Sequence, residues 1–211
     1  MRIGIVLHPY GEKEPGGLPR VIFEWANALL TYDKKDEYVI FVKNEPTILP
    51  QFPKGNWKLE VLGGGFDWLK RLKKKTSVDI CIFNTPVLPL FYRPKKSIVI
   101  AYDFPYKHLP PKNLSDRLLR IVIGAYHKRS LKRADAIVAV SDATKREVVS
   151  LFNIPEEKVQ TIYHGFKRIC AIPEKKVSTP ESYFFFAGTL KERKNVFRII
   201  EGYHLLKQEH P

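Results

Sequence analysis

The sequence has few sulfur-containing residues and no long apolar segment. Its 211 residues include only two cysteines, Cys81 and Cys170, and a single methionine. Two isolated thiols form neither a disulfide framework nor a metal-ligand spacing, which excludes disulfide-rich secreted domains and points to a reducing cytosol. No apolar run reaches the roughly eighteen residues of a membrane-spanning helix, and the apolar segment that follows Met1 and Arg2 is too short for a signal peptide. The sequence therefore predicts a cytoplasmic protein without a membrane span.

Acidic residues are also scarce relative to basic ones. Asp and Glu number 22 against 36 Lys and Arg, which gives a formal net charge of +14. Such an excess favours polyanionic partners, whether nucleic acid, anionic lipid or phosphorylated small molecules, and charge alone does not choose among them. The 44% of hydrophobic residues is enough for a packed core, so the chain is expected to be globular.

The two common nucleotide-binding loops are missing. Gly16 and Gly17 precede a predicted helix, but no Gly-Lys-Ser/Thr follows them as in a Walker loop, and they are not part of a G-x-G-x-x-G dinucleotide turn. Two glycines at a helix start let backbone amides approach an anionic or sugar ligand without a Cβ in the way. They also suit an ordinary flexible turn, and both interpretations stay open.

Short apolar segments rich in β-branched and aromatic residues alternate with segments of helical period. Apolar residues recur at intervals of three and four over 18–32, and further helices are expected from Ser115-Asp116 as N-cap, from Asp142, and after Asn195. The alternation predicts an α/β fold with an open, doubly wound, mostly parallel, Rossmann-like sheet and helices on both faces. The predicted strands are 3–8, 38–42, 58–62, 79–84, 97–101, 136–141, 159–164 and 183–187.

A stretch rich in proline and charge separates two predicted domains. Residues 167–182 contain Pro173, Pro180 and a Glu-Lys-Lys cluster with little periodicity, as in an exposed linker. Residues 1–166 then form the first domain, and 183–211 supply one strand and one helix of an incomplete second one. Such a unit cannot bury both of its faces by itself, so it is expected to need a partner and to belong to a larger protein.

Residues just after each strand are candidate site residues, because ligands of an open parallel sheet bind at the carboxyl ends of its strands. Asp103 follows the fifth strand, where a carboxylate can accept a hydrogen bond from a sugar hydroxyl. An acid in that place also serves as a helix cap or turn residue. Ser141 follows the sixth strand and has the same two interpretations, with capping favoured. His164 lies in the turn after the seventh strand and is either a ligand-binding or a packing residue.

The segment 186–195 joins an apolar strand and Gly188 to a basic cluster that opens a helix. Backbone N–H groups freed at the helix start, with Arg193 and Lys194 beside them, can hold a phosphate or diphosphate. The alternative is a solvated basic first turn, which is electrostatically unfavourable beside the positive end of the helix dipole. The segment therefore predicts an anion site.

Five motifs in this order resemble those of glycosyltransferase family four of the GT-B superfamily. They are Gly16-Gly17, Asp103, A-D-A-I-V-A-V-S over 134–141, Y-H-G over 163–165 and G-T-L-K-E-R-K-N over 188–195. The resemblance implies two Rossmann-like domains facing across a cleft, with the acceptor bound mainly by the first and a nucleotide-sugar mainly by the second. It also implies retaining transfer of a sugar to an acceptor such as a lipid-linked sugar or polysaccharide precursor, with no metal and no other cofactor. In such enzymes the basic residues of the last turn neutralise the departing diphosphate, and this role maps onto Arg193 and Lys194.

Three departures from the family pattern limit what the resemblance implies. Thr189 stands where many relatives have an arginine, and Tyr102 stands where a histidine often precedes the strand-end acid. The acidic Glu-x7-Glu motif and the nucleoside pocket of the family are expected downstream of the residues in this chain. The chain alone is therefore expected to lack transferase activity.

Two basic segments, 69–75 and 117–133, combine Lys and Arg with apolar residues. Membrane-associated members of the resembling family use such surfaces on anionic lipid, which would place the protein at the inner face of the membrane. An ordinary solvated face is the alternative.

A basic nucleic-acid-binding domain is the second function class, but the aromatic residues lie mostly in predicted strands and helix faces, so no nucleic acid is expected as partner. A noncatalytic scaffold that docks on membranes is the third class.

Overall fold

The fold is seen in a computed structural model that describes residues 1–10, 17–46, 49–65, 68–75, 77–90, 94–166, 182–188, 190 and 192–209, with only the backbone of Lys75 and Arg193. Contacts between residues divide the chain into two units, Met1–Phe166 and Lys167–Pro211.

The described part of the first unit contains one sheet of seven parallel strands. The strands are β1 (Arg2–Val6), β2 (Glu37–Val42), β3 (Trp57–Val61), β4 (Ile80–Phe83), β5 (Lys96–Ala101), β6 (Ala136–Ala139) and β7 (Val159–Thr161). Their order across the sheet is β3-β2-β1-β4-β5-β6-β7. The chain therefore adds β2 and β3 on one side of β1 and then crosses back to add β4 to β7 on the other.

The helices of the described residues are α1 (Gly17–Tyr32), α2 (Leu72–Lys75), α3 (Leu114–Arg133), α4 (Asp142–Phe152) and α5 (Val196–Glu209). Four short 3-10 turns accompany them, Trp68–Arg71, Pro105–Lys107, Glu156–Lys158 and Glu192–Lys194. Several strands end earlier than predicted, since β1 stops at Val6, β6 at Ala139 and β7 at Thr161. The residues that follow them are therefore loop residues.

The strand order reverses between β1 and β4, which pair directly with Gly4 opposite Cys81. On the other side of β1, Gly4 lies opposite Val39 of β2. The connections on the two sides of such a reversal leave in opposite directions, so a crevice opens at the carboxyl ends of the flanking strands. The topology alone thus determines where a ligand site is expected.

Side chains alternate between two hydrophobic clusters, as the two-residue period of a strand requires. Ile5 of β1 packs in one cluster with Ile22 of α1. Phe41 of β2 packs in the other with Leu131 of α3 and Val148 of α4. Helices therefore cover both faces of the sheet, and the predicted α/β class, a doubly wound parallel Rossmann-like sheet, is confirmed.

The start of α3 differs from its prediction. Asn113 is the N-cap, and its Oδ1 accepts a hydrogen bond of 2.8 Å from the backbone N–H of Asp116. The Asp116 carboxylate in turn accepts one of 2.9 Å from the N–H of Lys112. This reciprocal arrangement satisfies two N–H groups at the helix start. The predicted cap at Ser115-Asp116 is therefore wrong, because Ser115 already lies in the first turn.

The predicted eighth strand, 183–187, is not formed. These residues are described without regular structure, and the side chains of Phe184 and Phe185 are 70% and 81% exposed. None of the residues of α5 is buried either. Aromatic composition gives a segment β-propensity, but a strand also needs a neighbour to accept its backbone hydrogen bonds, and no described residue of this unit supplies one.

Candidate functional site

A cavity of about 380 Å³ opens at the carboxyl ends of β1, β4 and β5, where the strand order reverses. This volume lies in the range of small-molecule sites. All of the lining residues belong to the first unit. They are Val6, His8, Leu18, Trp68, Leu69, Phe83, Thr85, Pro86, Val87, Tyr102, Asp103 and His127, and this cavity is called the cleft below.

The strand ends that form the cleft are tied together by a buried amide. Asn84 follows β4 and is only 3% exposed. Its Nδ2 donates a hydrogen bond of 2.7 Å to the carbonyl oxygen of Val6 at the end of β1. The two strands therefore keep a fixed separation at the edge where they diverge.

The wall of the cleft formed by the loop after β4 is held by α3. The Ser130 hydroxyl accepts a hydrogen bond of 3.1 Å from the N–H of Leu88, and the Tyr126 hydroxyl donates one of 2.7 Å to the carbonyl of Leu88. Arg129 adds a bond of 2.7 Å to the carbonyl of Leu90. Backbone groups of an irregular loop are thus satisfied by one rigid helix, which preorganises this wall.

Asp103 lies in the cleft, as expected for the acid after β5. Of the two glycines, Gly16 lies outside the described residues and Gly17 is the first residue of α1. A Cβ added to Gly17 would meet no atom of the described residues within 4 Å. The next residue, Leu18, lines the cleft.

His127 reaches the cleft from the inner face of α3. Its Nδ1 and the hydroxyl of Tyr106 are 2.9 Å apart. Burial, with a smaller contribution from the nearby Lys107 cation, lowers the pKa of His127 to about 4, and burial raises the pKa of Tyr106 to about 12. Both rings are therefore neutral at physiological pH.

His164 contacts Trp25 and Tyr102 within the first unit and is not among the residues that line the cleft. Its Nδ1 accepts a hydrogen bond of 3.1 Å from the indole Nε1 of Trp25, and its ring stacks on Tyr102 with centroids 5.8 Å apart. Partial burial lowers the pKa of His164. Tyr102 does line the cleft, burial raises its pKa to about 12, and its buried hydroxyl has no hydrogen-bond partner among the described residues.

Ser141 caps α4. Its Oγ accepts a hydrogen bond of 3.1 Å from the backbone N–H of Thr144 and lies 3.0 Å from the Thr144 hydroxyl. It is not among the residues that line the cleft. Its hydroxyl is thus engaged in the role expected of a serine directly before a helix.

The segment 186–195, which the sequence predicts to be an anion site, lies in the second unit. Gly188 is an exposed bend residue, and Lys194 ends the 3-10 turn Glu192–Lys194 that precedes α5. Arg193 lies in the same turn, and its side chain is outside the described part. Asn195 links turn and helix with a left-handed φ of 51°. The N–H of Asn195 donates a hydrogen bond of 3.0 Å to the carbonyl of Glu192. The backbone thus has a turn-before-helix form, in which the first N–H groups of the helix have no partner within the helix.

Two residues of the cleft, His8 and His127, were not predicted as site residues. His8 follows β1 and its ring lies 5.1 Å from that of Trp68, so the rule that selected Asp103 selects it once β1 is seen to end at Val6. His127 gives no local signal, because its place in the cleft depends on how α3 packs on the sheet.

Two other properties concern the described residues only. They contain no group of three or more His, Cys, Asp or Glu side chains able to hold a metal ion. None of their helices is both long and apolar enough to cross a bilayer.

Comparison with known proteins identifies relatives of the first unit. Residues 15–167 match the family described as Glycosyltransferase Family 4. The O-antigen chain mannosyltransferase B of Escherichia coli is 26% identical over 137 residues, which are 61% of this chain and 35% of that protein. The wall teichoic acid polymerase TagF matches in structure with a TM-score of 0.46 and 14% identity, over 77% of this chain and 38% of that one. A structure of a TagF variant soaked with CDPG gives a TM-score of 0.49 and 15% identity, again over 77% of this chain and 38% of that one. The chain thus spans about a third of the length of these relatives.

Proposed function

The chain belongs to glycosyltransferase family 4, and on that basis we propose that it forms the acceptor-binding part of a retaining transferase. The reaction moves a sugar from a nucleotide-sugar to a hydroxyl group of a saccharide or lipid-linked acceptor. The cleft at the ends of β1, β4 and β5 supports this proposal most directly, because it combines a carboxylate and two imidazoles with apolar and aromatic walls.

The chemistry of the cleft suits a saccharide. Asp103 can accept hydrogen bonds from sugar hydroxyls, and His127 offers a ring nitrogen for another. The indole of Trp68 and the side chains of Leu18 and Val87 form apolar surface for the C–H faces of a sugar ring. A mostly apolar site with a few polar groups fixes the orientation of its ligand, and orientation is what an acceptor site contributes to the rate.

We propose that Arg193 and Lys194 act on the donor. Cleavage of the bond between the sugar and its phosphate leaves negative charge on the departing diphosphate, and two cations at the start of α5 stabilise that charge more in the transition state than in the ground state. Gly188 and the N–H groups before α5 add backbone donors. Gly16 and Gly17 are assigned to the approach of the ligand to the start of α1. Ser141 and His164 are proposed as substrate-binding residues of the first unit. The cations of the turn before α5 supply the positive charge that a bound metal would otherwise bring.

A membrane partner is proposed for the outer face of α3. Leu114, Leu118, Ile121 and Val122 recur at helical spacing and are 57–71% exposed. Lys128 and Lys132 continue the same stripe toward the helix end and are exposed as well. These six residues are called the outer stripe. Apolar side chains continued by cations fit the headgroup region of an anionic bilayer, which would bring the enzyme to a lipid-linked acceptor.

The other basic segment does not provide such a surface. Trp68, Leu69 and Leu72 are 9% exposed or less and belong to the core. Arg71 is also engaged, since one of its guanidinium nitrogens donates a hydrogen bond of 2.9 Å to the carbonyl of Leu62. The 3-10 turn therefore contributes Trp68 and Leu69 to the wall of the cleft, Leu72 of α2 packs in the core, and α3 alone supports the membrane proposal.

A binding experiment on this chain tests the acceptor role. We expect methyl glycosides of mannose, glucose or galactose to shift the indole N–H resonance of Trp68, with mannose tried first because one relative is a mannosyltransferase. The indole of Trp57, which donates a hydrogen bond of 2.9 Å to Pro53, is the internal control and should not move. Asp103→Asn should weaken binding about tenfold, whereas Glu24→Gln on the exposed side of α1 should not. Nucleotides that shift Trp68 when no saccharide does would contradict the proposal.

A further inference from the structure

Two aromatic side chains, Phe104 and Tyr106, hold the ring of His127. Phe104, which is 1% exposed, lies with its ring centroid 5.9 Å from that of His127, and the Tyr106 centroid lies at 5.5 Å. The hydrogen bond between Tyr106 and Nδ1 then determines the rotation of the imidazole. A ring held in this way is preorganised, so it loses little entropy when it binds a ligand.

The opposite ring nitrogen has no such partner. Among the residues that the structure describes, Nδ1 of His127 is paired with Tyr106 and no hydrogen bond to Nε2 is found. Nε2 is also not among the polar atoms that are buried without a partner, and His127 lines the cleft. Nε2 is thus the polar atom that this residue offers to a ligand.

We propose that His127 is a specificity-determining residue of the cleft, binding one hydroxyl group of the saccharide acceptor through Nε2 while Tyr106 fixes the ring through Nδ1. This inference rests on the proposed acceptor role of the cleft. It adds a contact from α3 that faces the strand ends carrying Asp103 and His8.

A hydroxyl group is the ligand group that suits both tautomers of a neutral imidazole. If the Tyr106 hydroxyl donates to Nδ1, Nε2 carries the proton and donates to the ligand. If Nδ1–H donates to the Tyr106 oxygen, Nε2 accepts. A hydroxyl is both donor and acceptor and pairs in either case, whereas a carboxylate or an ammonium group pairs in only one. The neutral state itself is favoured by burial and by the Lys107 cation beside the ring, which together lower the pKa of His127.

Gly124, one helical turn before His127, provides the space for this arrangement. A Cβ at that position would lie 3.3 Å from Nζ of Lys107 and 3.7 Å from the ring of Tyr106. Lys107 in turn lies over the rings of Tyr106 and Phe152, at 5.8 and 5.5 Å from their centroids. A methyl group there would press on the flexible end of Lys107 and meet the Tyr106 ring at an ordinary van der Waals distance, so any effect on the imidazole is indirect.

The test measures saccharide affinity in single-residue variants of this chain, with the Trp68 indole resonance as the reporter and methyl mannoside, glucoside and galactoside as probes. His127→Phe keeps a ring of similar size without a nitrogen and should weaken binding about tenfold, the loss of one hydrogen bond to the ligand. His127→Gln places an amide near Nε2 and should restore most of the affinity. His108→Gln removes an exposed imidazole that pairs with Glu147 at 2.7 Å, and it should bind as the parent chain does.

A second measurement reads the ring directly. In the free chain, the ¹⁵N shifts of His127 should show a neutral imidazole at pH 6, and addition of the saccharide should shift Nε2 more than Nδ1. The deoxy analogue lacking the contacted hydroxyl should bind the parent chain and His127→Phe equally. Gly124→Ala should lower the affinity less than His127→Phe.

The outcomes separate the inference from the function on which it rests. If the parent chain binds a saccharide and His127→Phe binds it equally well, the role of His127 is overturned while the acceptor site stands. If no probe shifts Trp68 in the parent chain at up to about 100 mM, well above the millimolar range of weak sugar binding, the acceptor site and the role of His127 fail together. A third outcome is that His127→Phe loses binding and His127→Gln does not restore it, although both variants keep the circular dichroism of the parent chain. This outcome also contradicts the proposed hydrogen bond between Nε2 and the saccharide hydroxyl.

Discussion

The side-chain amide of Asn84 donates a hydrogen bond of 2.7 Å to the carbonyl oxygen of Val6, and this bond joins the ends of β4 and β1 below the cleft. Both strands have ended at this point, and His8 and Thr85 lie in the loops that line the cavity. The bond is buried, so neither group can turn to water when its partner is lost.

Asn84→Ala should therefore destabilise the first unit by about 1–3 kcal/mol, the cost of an unsatisfied buried carbonyl. It should also weaken saccharide binding, because the distance between the two strand ends is no longer fixed. Urea unfolding measures the first effect and the Trp68 resonance the second. Gln51→Ala, at an exposed amide, is the control, and equal unfolding midpoints for the two variants would contradict this role of Asn84.

Gly4 in the central strand allows a close approach of its neighbours. A Cβ there would lie 2.8 Å from the ring of Phe41 and 3.3 Å from the side chain of Val78. Gly4→Ala should destabilise the fold by about 1–3 kcal/mol through overpacking. Gly17→Ala, with open space around the added methyl group, should leave the stability unchanged or raise it by about 0.5 kcal/mol. Thermal unfolding of the two variants distinguishes steric crowding from a general effect of losing glycine.

The prediction from sequence was most successful where one local signal decides the outcome. Ser141 before α4 is such a case, since a serine followed by Asp142-Ala143-Thr144 satisfies the N–H of Thr144 in any fold. The rule that ligands bind at the carboxyl ends of parallel strands placed Asp103 in the cleft, because this rule depends only on the order of the parallel strands. It could not find His127, whose neighbours Phe104 and Tyr106 come from a segment that meets α3 only in the folded chain. The prediction of a strand over 183–187 is wrong, because the β-propensity of these residues does not supply a neighbouring strand.

The pKa of His127 predicts how stability depends on pH. The folded state keeps the imidazole neutral down to about pH 4, whereas the unfolded chain takes up a proton near the ordinary value of 6.5. The unfolded state therefore binds more protons between these two values, and stability falls as the pH is lowered through that window. After allowance for the solvent that reaches the ring, the loss should be about 1–2 kcal/mol.

His127→Gln should remove most of that slope between pH 6.5 and 4. The pKa of His164 is also lowered, so it adds a smaller loss in the same direction. The carboxyl groups of Asp79 and Asp116 have pKa values held below 3.8 by hydrogen bonds to backbone N–H groups, and their contribution is lost at lower pH. Urea midpoints measured against pH check the prediction. An unchanged slope in the variant would show that His127 takes up its proton at the same pH in the folded and the unfolded chain.

The outer stripe of α3 should bind anionic vesicles. We expect the chain to sediment with vesicles of phosphatidylglycerol and phosphatidylcholine, and much less with phosphatidylcholine alone. Leu118→Ser with Val122→Ser should lower partitioning roughly tenfold or more, because two apolar side chains no longer insert. Tyr32→Ser, at a residue 87% exposed on α1, is the control.

Two results would contradict the membrane prediction. One is binding that is equal for the double variant and the parent chain. The other is tighter binding to a generic single-stranded oligonucleotide that collapses steeply with salt, which would favour the nucleic-acid alternative suggested by the net charge of +14.

The turn before α5 should bind pyrophosphate without a metal. Lys194 and the backbone of Arg193 lie directly before the start of this 14-residue helix, where freed N–H groups and the helix dipole favour an anion. Arg193→Gln with Lys194→Gln should lower the affinity of this chain for pyrophosphate about tenfold or more, followed by the amide resonances of residues 192–196. Lys207→Gln, in the last turn of α5, removes a cation at the other helix end and should have no effect.

A chelator should not weaken pyrophosphate binding, because the two cations take the place of a metal. In a transferase that contains both domains, the double substitution should lower kcat by about a hundredfold or more while leaving saccharide affinity in the cleft unchanged. Pyrophosphate binding that requires Mg²⁺, or that survives the double substitution, would remove the basis for assigning the donor phosphates to this turn.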